Sequence, residues 1–507
     1  MPIFLLGVDV GTTGSKALLI DSGGALKATA TTEYPMMTPQ PQWAEQHPDE
    51  WWRATVASIK RVMGESAILP NQVAAIGLTG QMHGLVLLNG RGNVLRPCIM
   101  WNDQRSAKEC LAITNAVGEG KLLELTGNPV LPGFTAPKVL WVREHEPEVY
   151  GHISNILLPK DYIRYRLTRS FLSDVSDASG TSMFDVGRRR WSDEMVQALN
   201  IPREWLPDVT ESPVPSSSVS SQAAKETGLL EGTPVVGGAG DQAAQAVGAG
   251  VIKEGVVSVT IGTSGVVFAS SDAFRPHGKL HAFCHAVPNT WHVMGVMLSA
   301  GGSFRWYRDA LCGWDKVKAD VLGRDVYDLL TNEAAEIPPG CEGLIFLPYL
   351  GGERTPHPDP DARGVFFGLT LRHTKAHLTR AVLEGVSFGL RDSLELMRSL
   401  GISIKQVRAS GGGAKSPFWR QLLADVFNTE IVTVNVTEGA AYGAALLAGV
   451  GAGFYKDVSE ACEKTTRIAG SVRPGPSAAI YEKYYRRYCS LYPAVAGEFK
   501  ELARLRG

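Results

Sequence analysis

The sequence predicts an α/β protein built from two similar domains, and three observations carry that prediction. The pattern strand, Gly-Thr-x-Gly, strand occurs twice, around Gly11–Gly14 and again around Gly262–Gly265. The second half alternates short apolar runs with longer helical ones, the one-dimensional form of a layered α/β fold. The chain has 507 residues, 44% of them apolar and 20% charged, too long for one core and too apolar for disorder.

In the first copy, Ile3–Val10 is a β-branched apolar run ended by Gly11-Thr12-Thr13-Gly14, and Ala17–Ile20 is its return strand. In the second, Val256–Ile261 leads to Gly262-Thr263-Ser264-Gly265, and Val266 starts the return. Asp9 of the first copy falls opposite Thr260 of the second, so only the first copy carries a carboxylate. Val73–Leu78 and Leu85–Leu88 read as strands around Thr79-Gly80-Gln81-Met82-His83-Gly84. Glu211–Ser221, rich in Pro and Ser, reads as a loop. Asp241 opens a short helix of small residues, with its side chain at or near the cap. The domains therefore divide as 1–248 and 249–507. Beyond that boundary, Leu344–Leu350 reads as a strand, His377–Leu400 as a long helix and Ile404–Ser410 as a strand. Gly411-Gly412-Gly413-Ala414 then leads into a helix to Phe427, and Val432–Val436 into a helix over Glu438–Ala448. The tail from Ala478 to Leu505 reads as a helix that Pro493 should kink or interrupt. Its tyrosines Tyr481, Tyr484, Tyr485, Tyr488 and Tyr492 form one packing stripe.

Composition excludes several classes. Fifty basic and 51 acidic residues leave a net charge of −1, which argues against a nucleic-acid surface or a polybasic membrane patch. No apolar run approaches bilayer-spanning length. Seven scattered cysteines, never spaced CxxC, predict no disulfide framework or structural zinc site and a cytoplasmic, reducing setting. His281, His285 and His292 lack an acidic partner pattern and read as structural.

Several turns carry chemistry. A Gly-Thr-Thr-Gly turn exposes backbone N–H groups and admits a phosphate, and the hydroxyls of Thr12 and Thr13 can add donors. Asp9, just before it, suits a divalent cation. Gly411–Gly413 lies between strand and helix, where an α/β sheet holds ligands; a flat adenine or ribose fits it, and so does a plain tight turn. Asp241, behind Gly-Gly-Ala-Gly, has an open approach and near its ordinary pKa could take a hydroxyl proton in phosphoryl transfer, although an N-cap has the same sequence form. Trp101-Asn102-Asp103-Gln104-Arg105 offers amide, carboxylate and aromatic face to a polyol, as an ordinary polar loop also would. His83 can donate to a sugar carbonyl or hydroxyl.

Taken together, D-x-G-T-T-G-S-K at 9–16, TGQMHG at 79–84, WNDQR at 101–105, GAGDQ at 238–242, GTSG at 262–265, PYLGGERTPH at 348–357, GGGAKS at 411–416 and EGAAYGAA at 438–445 resemble the FGGY family of carbohydrate kinases. The resemblance implies two ribonuclease H-like domains of the actin-like ATPase superfamily with an interdomain cleft. It also implies Mg²⁺-dependent transfer of the γ-phosphoryl group of ATP to a sugar. Within the family the motifs lie nearest the kinases of D-xylulose, which would be phosphorylated on its 5-hydroxyl. By that resemblance Asp9 is the metal-associated residue, Thr12 and Thr13 the first phosphate loop, and Gly262 and Thr263 the second. Gly411, Gly412, Gly413 and Ala414 would meet adenosine, with Asn428 and Glu438 framing the pocket. Asp241 would be the catalytic base and would also meet the sugar, lined by Met82, His83, Trp101, Asn102 and Asp103. Gly351 departs from the serine usual before Gly-Glu-Arg. The competing readings are a kinase of D-ribulose, a pentitol or glycerol, and an actin- or chaperone-like ATPase that makes no sugar phosphate. The resemblance is compatible with a homodimer.

Overall fold

A computed structural model of the chain describes residues 3–436 and 438–505. The first half is organised on a seven-stranded mixed sheet. Its centre is the hairpin β1 (Phe4–Val10) and β2 (Gly14–Asp21), extended by β3 (Leu26–Glu33), while β4 (Val73–Gly80) runs parallel to β1 on the other side. Two helices that flank the later site follow, α1 (Ala107–Val117) and α2 (Thr135–His145). The sheet is completed by β5 (Pro215–Ser218), β6 (Pro234–Val236) and β7 (Ala239–Gly240); β6 and β7 both run parallel to β4. Helix α3 (Asp241–Gly248) starts directly from β7.

The Pro/Ser-rich stretch 211–221 is thus not wholly a loop. Residues 215–218 form the outermost strand of the sheet, where proline at the first position costs no ladder hydrogen bond.

The second half repeats the plan. The hairpin β8 (Gly255–Ile261) and β9 (Gly265–Ser271) is flanked by β10 (His281–Cys284) and β11 (Trp291–Met297), with β11 antiparallel to β9. Helix α4 (Gly301–Leu311) and the long α5 (Lys375–Ser399) follow. Next, β12 (Ile404–Ser410) joins β8 in parallel, as β4 joins β1. Helix α6 (Pro417–Phe427), strand β13 (Glu430–Val434), helix α7 (Gly439–Gly451), strand β14 (Ile468–Val472) and helix α8 (Ala478–Leu505) complete the chain. Each sheet therefore has a hairpin at its heart, an antiparallel third strand on one side and a parallel strand on the other. The duplication visible in two glycine turns extends to topology.

The halves meet through α3 and α7, which are built from small residues. A Cβ on Gly7 would lie 2.0 Å from the carbonyl oxygen of Ala441, and one on Gly77 1.8 Å from that of Ala444, so α7 rests on β1 and β4 at backbone distance. Leu5, Leu18, Ala75, Val247, Ala441, Leu446 and Tyr455 share one buried cluster, which ties a helix of the second half to the first sheet.

Helix α8 continues through Pro493 without interruption. The carbonyl of Cys489, which loses its donor, lies with Pro493 on an exposed face where water can serve it. The tyrosine stripe packs as expected, and each buried hydroxyl finds a partner: Tyr481 on Glu384 (2.8 Å), Tyr485 on Asp392 (2.7 Å) and Tyr488 on Tyr349 (3.0 Å). The seven cysteines are free. Among the described residues no helix is long and apolar enough to cross a membrane.

Candidate functional site

The β1–β2 turn is closed by Gly11 N–H donating to the Gly14 carbonyl at 3.1 Å. Tyr34 and Gln81 both donate to the Gly11 carbonyl, and Gln46 donates to that of Thr12 at 2.8 Å. The Thr12 hydroxyl donates to Gln81 Oε1 (3.2 Å) and accepts from the Trp101 indole (3.1 Å). Its proton is therefore already spent, contrary to the expectation of a free donor, whereas Thr13 is exposed. The turn is held rigid by Gln46, Gln81 and Tyr34, of which only Gln81 belongs to a motif read from the sequence.

Asp9 is the penultimate residue of β1 beside this turn, opposite Lys16 in the hairpin register. Burial pushes its carboxyl up to about 6, against the lowering effect of Lys16. Its Oδ1 is buried and has no hydrogen-bond partner. A buried carboxylate oxygen left without a donor fits a hard cation such as Mg²⁺, which takes oxygen ligands. Lys16 is occupied by Glu438, at 2.5 Å, which comes from the segment before α7.

Asp241 is the first residue of α3, with Gly240 in the cap position. Register places it: Asp9 pairs with Thr79, and Thr79 with Ala239, two residues before Asp241. The Gly240 N–H is fixed by the Ser176 hydroxyl at 3.1 Å. Asp241 is half-buried, and desolvation first, then the nearby charge of Asp9, pushes its carboxyl up to about 7. The sequence reading assumed an ordinary carboxyl with an open approach. Desolvation and the neighbouring Asp9 correct that and leave a group poised for proton transfer near neutrality.

Met82 lies against Gly240, where a Cβ would fall 2.9 Å from its Cγ, and so beside Asp241. His83 has a left-handed backbone (φ 71°), stabilised by the Thr135 hydroxyl (3.1 Å) and the Lys138 ammonium (3.0 Å), both donating to its carbonyl. Lys138 is wholly buried, donates also to the Gly133 carbonyl at 2.7 Å, and is pushed down to about 7 by burial. The His83 ring stacks on Phe134 (4.5 Å), and burial pushes its pKa down to about 3, so the ring is neutral. Nδ1 meets the Gly180 carbonyl at 2.7 Å. A carbonyl only accepts, so the single proton is on Nδ1 and Nε2 is an acceptor. The expected donor role at the sugar is thereby reversed.

Trp101 and Asn102 are exposed; the Trp101 indole is on Thr12, whereas Asn102 faces a separate hollow lined by Met36 and residues 38–44. Asp103 is buried, and its oxygens accept from Arg105 (2.9 and 2.7 Å) and from the Ala44 N–H (2.6 Å). It shapes the loop from beneath instead of presenting a carboxylate.

The second turn opens a cleft of about 370 Å³ whose lining includes Gly262, Thr263, Gly301, Gly412, Gly413 and Trp419. The Thr263 carbonyl accepts from the N–H groups of Ala300 (3.0 Å) and Gly302 (2.9 Å), which brings the start of α4 to the turn. A helix start and a glycine turn at one spot form a cradle for an anion. Phe304, Tyr327 and Trp419 supply the apolar walls, with Phe304 and Tyr327 5.0 Å apart. Gly411 has φ 82° and stands 2.5 Å (by its missing Cβ) from the Ile261 carbonyl oxygen, while at Gly412 that position is open cleft. Ala414 is buried behind them. Asn428 does not belong here. It caps the far end of α6 in a left-handed conformation, about 16 Å along the helix from the glycines. Gly301-Gly302, a glycine pair between strand and helix, was the signal in the sequence that would have found α4.

Comparison with known proteins agrees with this geometry. Residues 4–248 match the N-terminal domain, and 257–452 the C-terminal domain, of the FGGY family of carbohydrate kinases. The chain is 40% identical over 498 residues to the xylulose kinase of Escherichia coli (strain K12), covering 97% of this chain and 100% of that protein. The crystal structure of xylulose kinase from Rhodospirillum rubrum superposes with a TM-score of 0.91 at 30% identity, over 98% of this chain and 100% of that one. That of gluconate kinase from Lactobacillus acidophilus gives 0.92 at 29%, over 99% and 100%. With both halves matched in order and the chain covered almost end to end, this protein belongs to the FGGY family of carbohydrate kinases.

Proposed function

We propose that this chain transfers the γ-phosphoryl group of ATP to the 5-hydroxyl of D-xylulose, giving D-xylulose 5-phosphate and ADP. The observation that supports it most is Asp241: a carboxyl near pH 7, at the head of α3 and beside Asp9, with Met82 packed on the residue before it. Relatives named xylulose kinase support the acceptor. We read the two duplicated sheets as ribonuclease H-like domains with the reaction between them.

In this reading the ionised Asp241 takes the proton of the 5-hydroxyl as that oxygen attacks phosphorus, and ADP leaves. His83 Nε2 accepts from a second sugar hydroxyl, and the neutral ring favours a hydroxyl over the carboxylate of an aldonate. Trp101 offers a carbon-facing wall while its indole N–H keeps Thr12 in place. The exposed Thr13 and Thr263 turns receive phosphate, and the cleft at Gly412, Gly413 and Trp419 receives the adenosine. Asp9 is the residue that would hold Mg²⁺, which supplies charge neutralisation on the transferring group.

A coupled ADP-release assay with D-xylulose, D-ribulose, glycerol and D-gluconate tests the assignment. D-xylulose should give the highest kcat/KM. Equal rates with and without any acceptor would sink the kinase reading in favour of an ATPase, and preference for gluconate would overturn the acceptor.

A further inference from the structure

A second group of ligating side chains lies away from the cleft, where α1 meets the end of α2. Glu109 of α1 and Glu144 and His145 of α2 bring one ligand atom each within 4.8 Å of one another. We propose that these three residues bind a zinc-class divalent cation. The site does not depend on the sugar-kinase reading.

The geometry has three independent parts. Glu109 is 3% exposed, yet neither of its carboxylate oxygens has a hydrogen-bond partner. A buried carboxylate with both oxygens unmet is costly unless a cation answers it. His145 Nδ1 meets the Trp141 carbonyl at 3.0 Å, so the Nδ1 proton is donated there and Nε2 keeps its lone pair for a metal. That is the outer-shell contact that fixes a ligating imidazole, and the ring is further held by stacking on Trp141 at 4.7 Å and 10°. Glu144 is exposed and bound on one oxygen by Lys108 at 2.8 Å, which leaves the other for coordination. Both Glu144 and His145 lie in the last turn of α2, where carbonyl dipoles favour positive charge.

The donor set selects the ion. One imidazole nitrogen and two carboxylates suit zinc and its transition-metal neighbours, whereas Mg²⁺ prefers oxygen throughout. Ligands about 2.1 Å from zinc stand closer together than 4.8 Å, and the exposed Glu144 can swing in to close the gap. Such an ion would pin α1, which follows the Trp101–Arg105 loop, to α2, which carries Thr135 and Lys138 beneath His83.

The test is Zn²⁺ binding to the whole, nucleotide-free protein, read by competition with a chromophoric chelator and by thermal midpoint. Wild type should take one equivalent that His145→Gln, a surface change, weakens at least ~10-fold. Zinc should raise the wild-type midpoint and leave that of His145→Gln unmoved. In chelator-treated buffer Glu109→Gln should be no less stable than wild type, because neither oxygen of the Glu109 carboxyl makes a hydrogen bond that the substitution would lose. Zinc affinity unchanged in His145→Gln overturns the site, and so does a Glu109→Gln protein that is markedly less stable without metal.

Discussion

Asp9 and Asp241 are joined through one register row: Asp9 lies beside Thr79 on β4, Thr79 beside Ala239 on β7, and Asp241 follows two residues later. A carboxylate on β1 and one at the head of α3 are thus brought close together, and the charge of Asp9 is felt at Asp241. In the proposed reaction this relationship suits each residue to a different job. Asp9, with an unmet oxygen and Lys16 at its back, is suited to a cation; Asp241, with a pKa near 7, is suited to a proton.

Asp241→Asn removes the proposed base and keeps the shape. kcat on D-xylulose should fall by at least ~10²-fold, while D-xylulose binding measured at equilibrium changes little. The same substitution should stabilise the protein at alkaline pH. The folded pKa of about 7 exceeds the ordinary 3.8, so the folded state holds the proton more tightly and ionisation costs stability as pH rises through 7. The thermal midpoint of the Asn variant should exceed that of wild type by about 2 °C or more at pH 8, and the gap should close by pH 4.

The pH dependence of the wild type follows from the same sign. Below pH 7 Asp241 is already protonated and the proposed base is lost, so kcat/KM should drop about tenfold per unit there. Below pH 6 the protonation of Asp9 adds a second loss. The two apparent values belong to the pair, and replacing Asp9 should shift the upper one downward by removing its charge. An acid limb that stays put in Asp9→Asn would show that Asp241 does not feel Asp9.

His83 should not contribute to that limb, since its ring stays neutral above about pH 3. His83→Ala should raise KM for D-xylulose at least tenfold, consistent with losing one acceptor and a packed ring, and leave the pH profile in place. Lys138→Met should act on the same parameter from beneath. It strips the donor from two carbonyls, those of His83 and Gly133, at about 1–3 kcal/mol each. Lys138→Arg should not rescue it, because a guanidinium is too large for a site with no exposure.

How much of this was legible follows from the range of the forces involved. The glycine turns, the strands flanking them and the position of Asp241 at a helix start are local, and the sequence carried them as spacing. Side-chain fate is not local. Asp103 looks like a ligand in WNDQR until Arg105, two residues on, and Ala44, from a distant loop, take both its oxygens. His83 reads as a donor until Gly180, nearly a hundred residues away, claims its only proton. Lys138 gave no motif at all, since a lysine in an amphipathic stretch is ordinarily a surface residue. Asn428 enters the pocket only by the family resemblance, and the length of α6 separates it from the glycine run.

The nucleotide side allows a test that leaves folding aside. Gly411 cannot change, because its φ of 82° and the Ile261 backbone forbid a side chain, and Gly411→Ala should simply unsettle the domain. Gly412 is different. Its backbone is ordinary (φ −59°, ψ −40°) and no atom stands within 4 Å of where a Cβ would be, because that direction is the open cleft. Gly412→Val therefore places methyl groups in the space assigned to adenosine without touching the core. KM for ATP should rise roughly tenfold, the scale of an over-packing clash, with the thermal midpoint of the free protein and its affinity for D-xylulose unchanged. Isothermal titration with ATP and with the sugar separates these effects. Normal nucleotide affinity in a correctly folded Gly412→Val protein would place adenosine elsewhere and detach this cleft from the reaction.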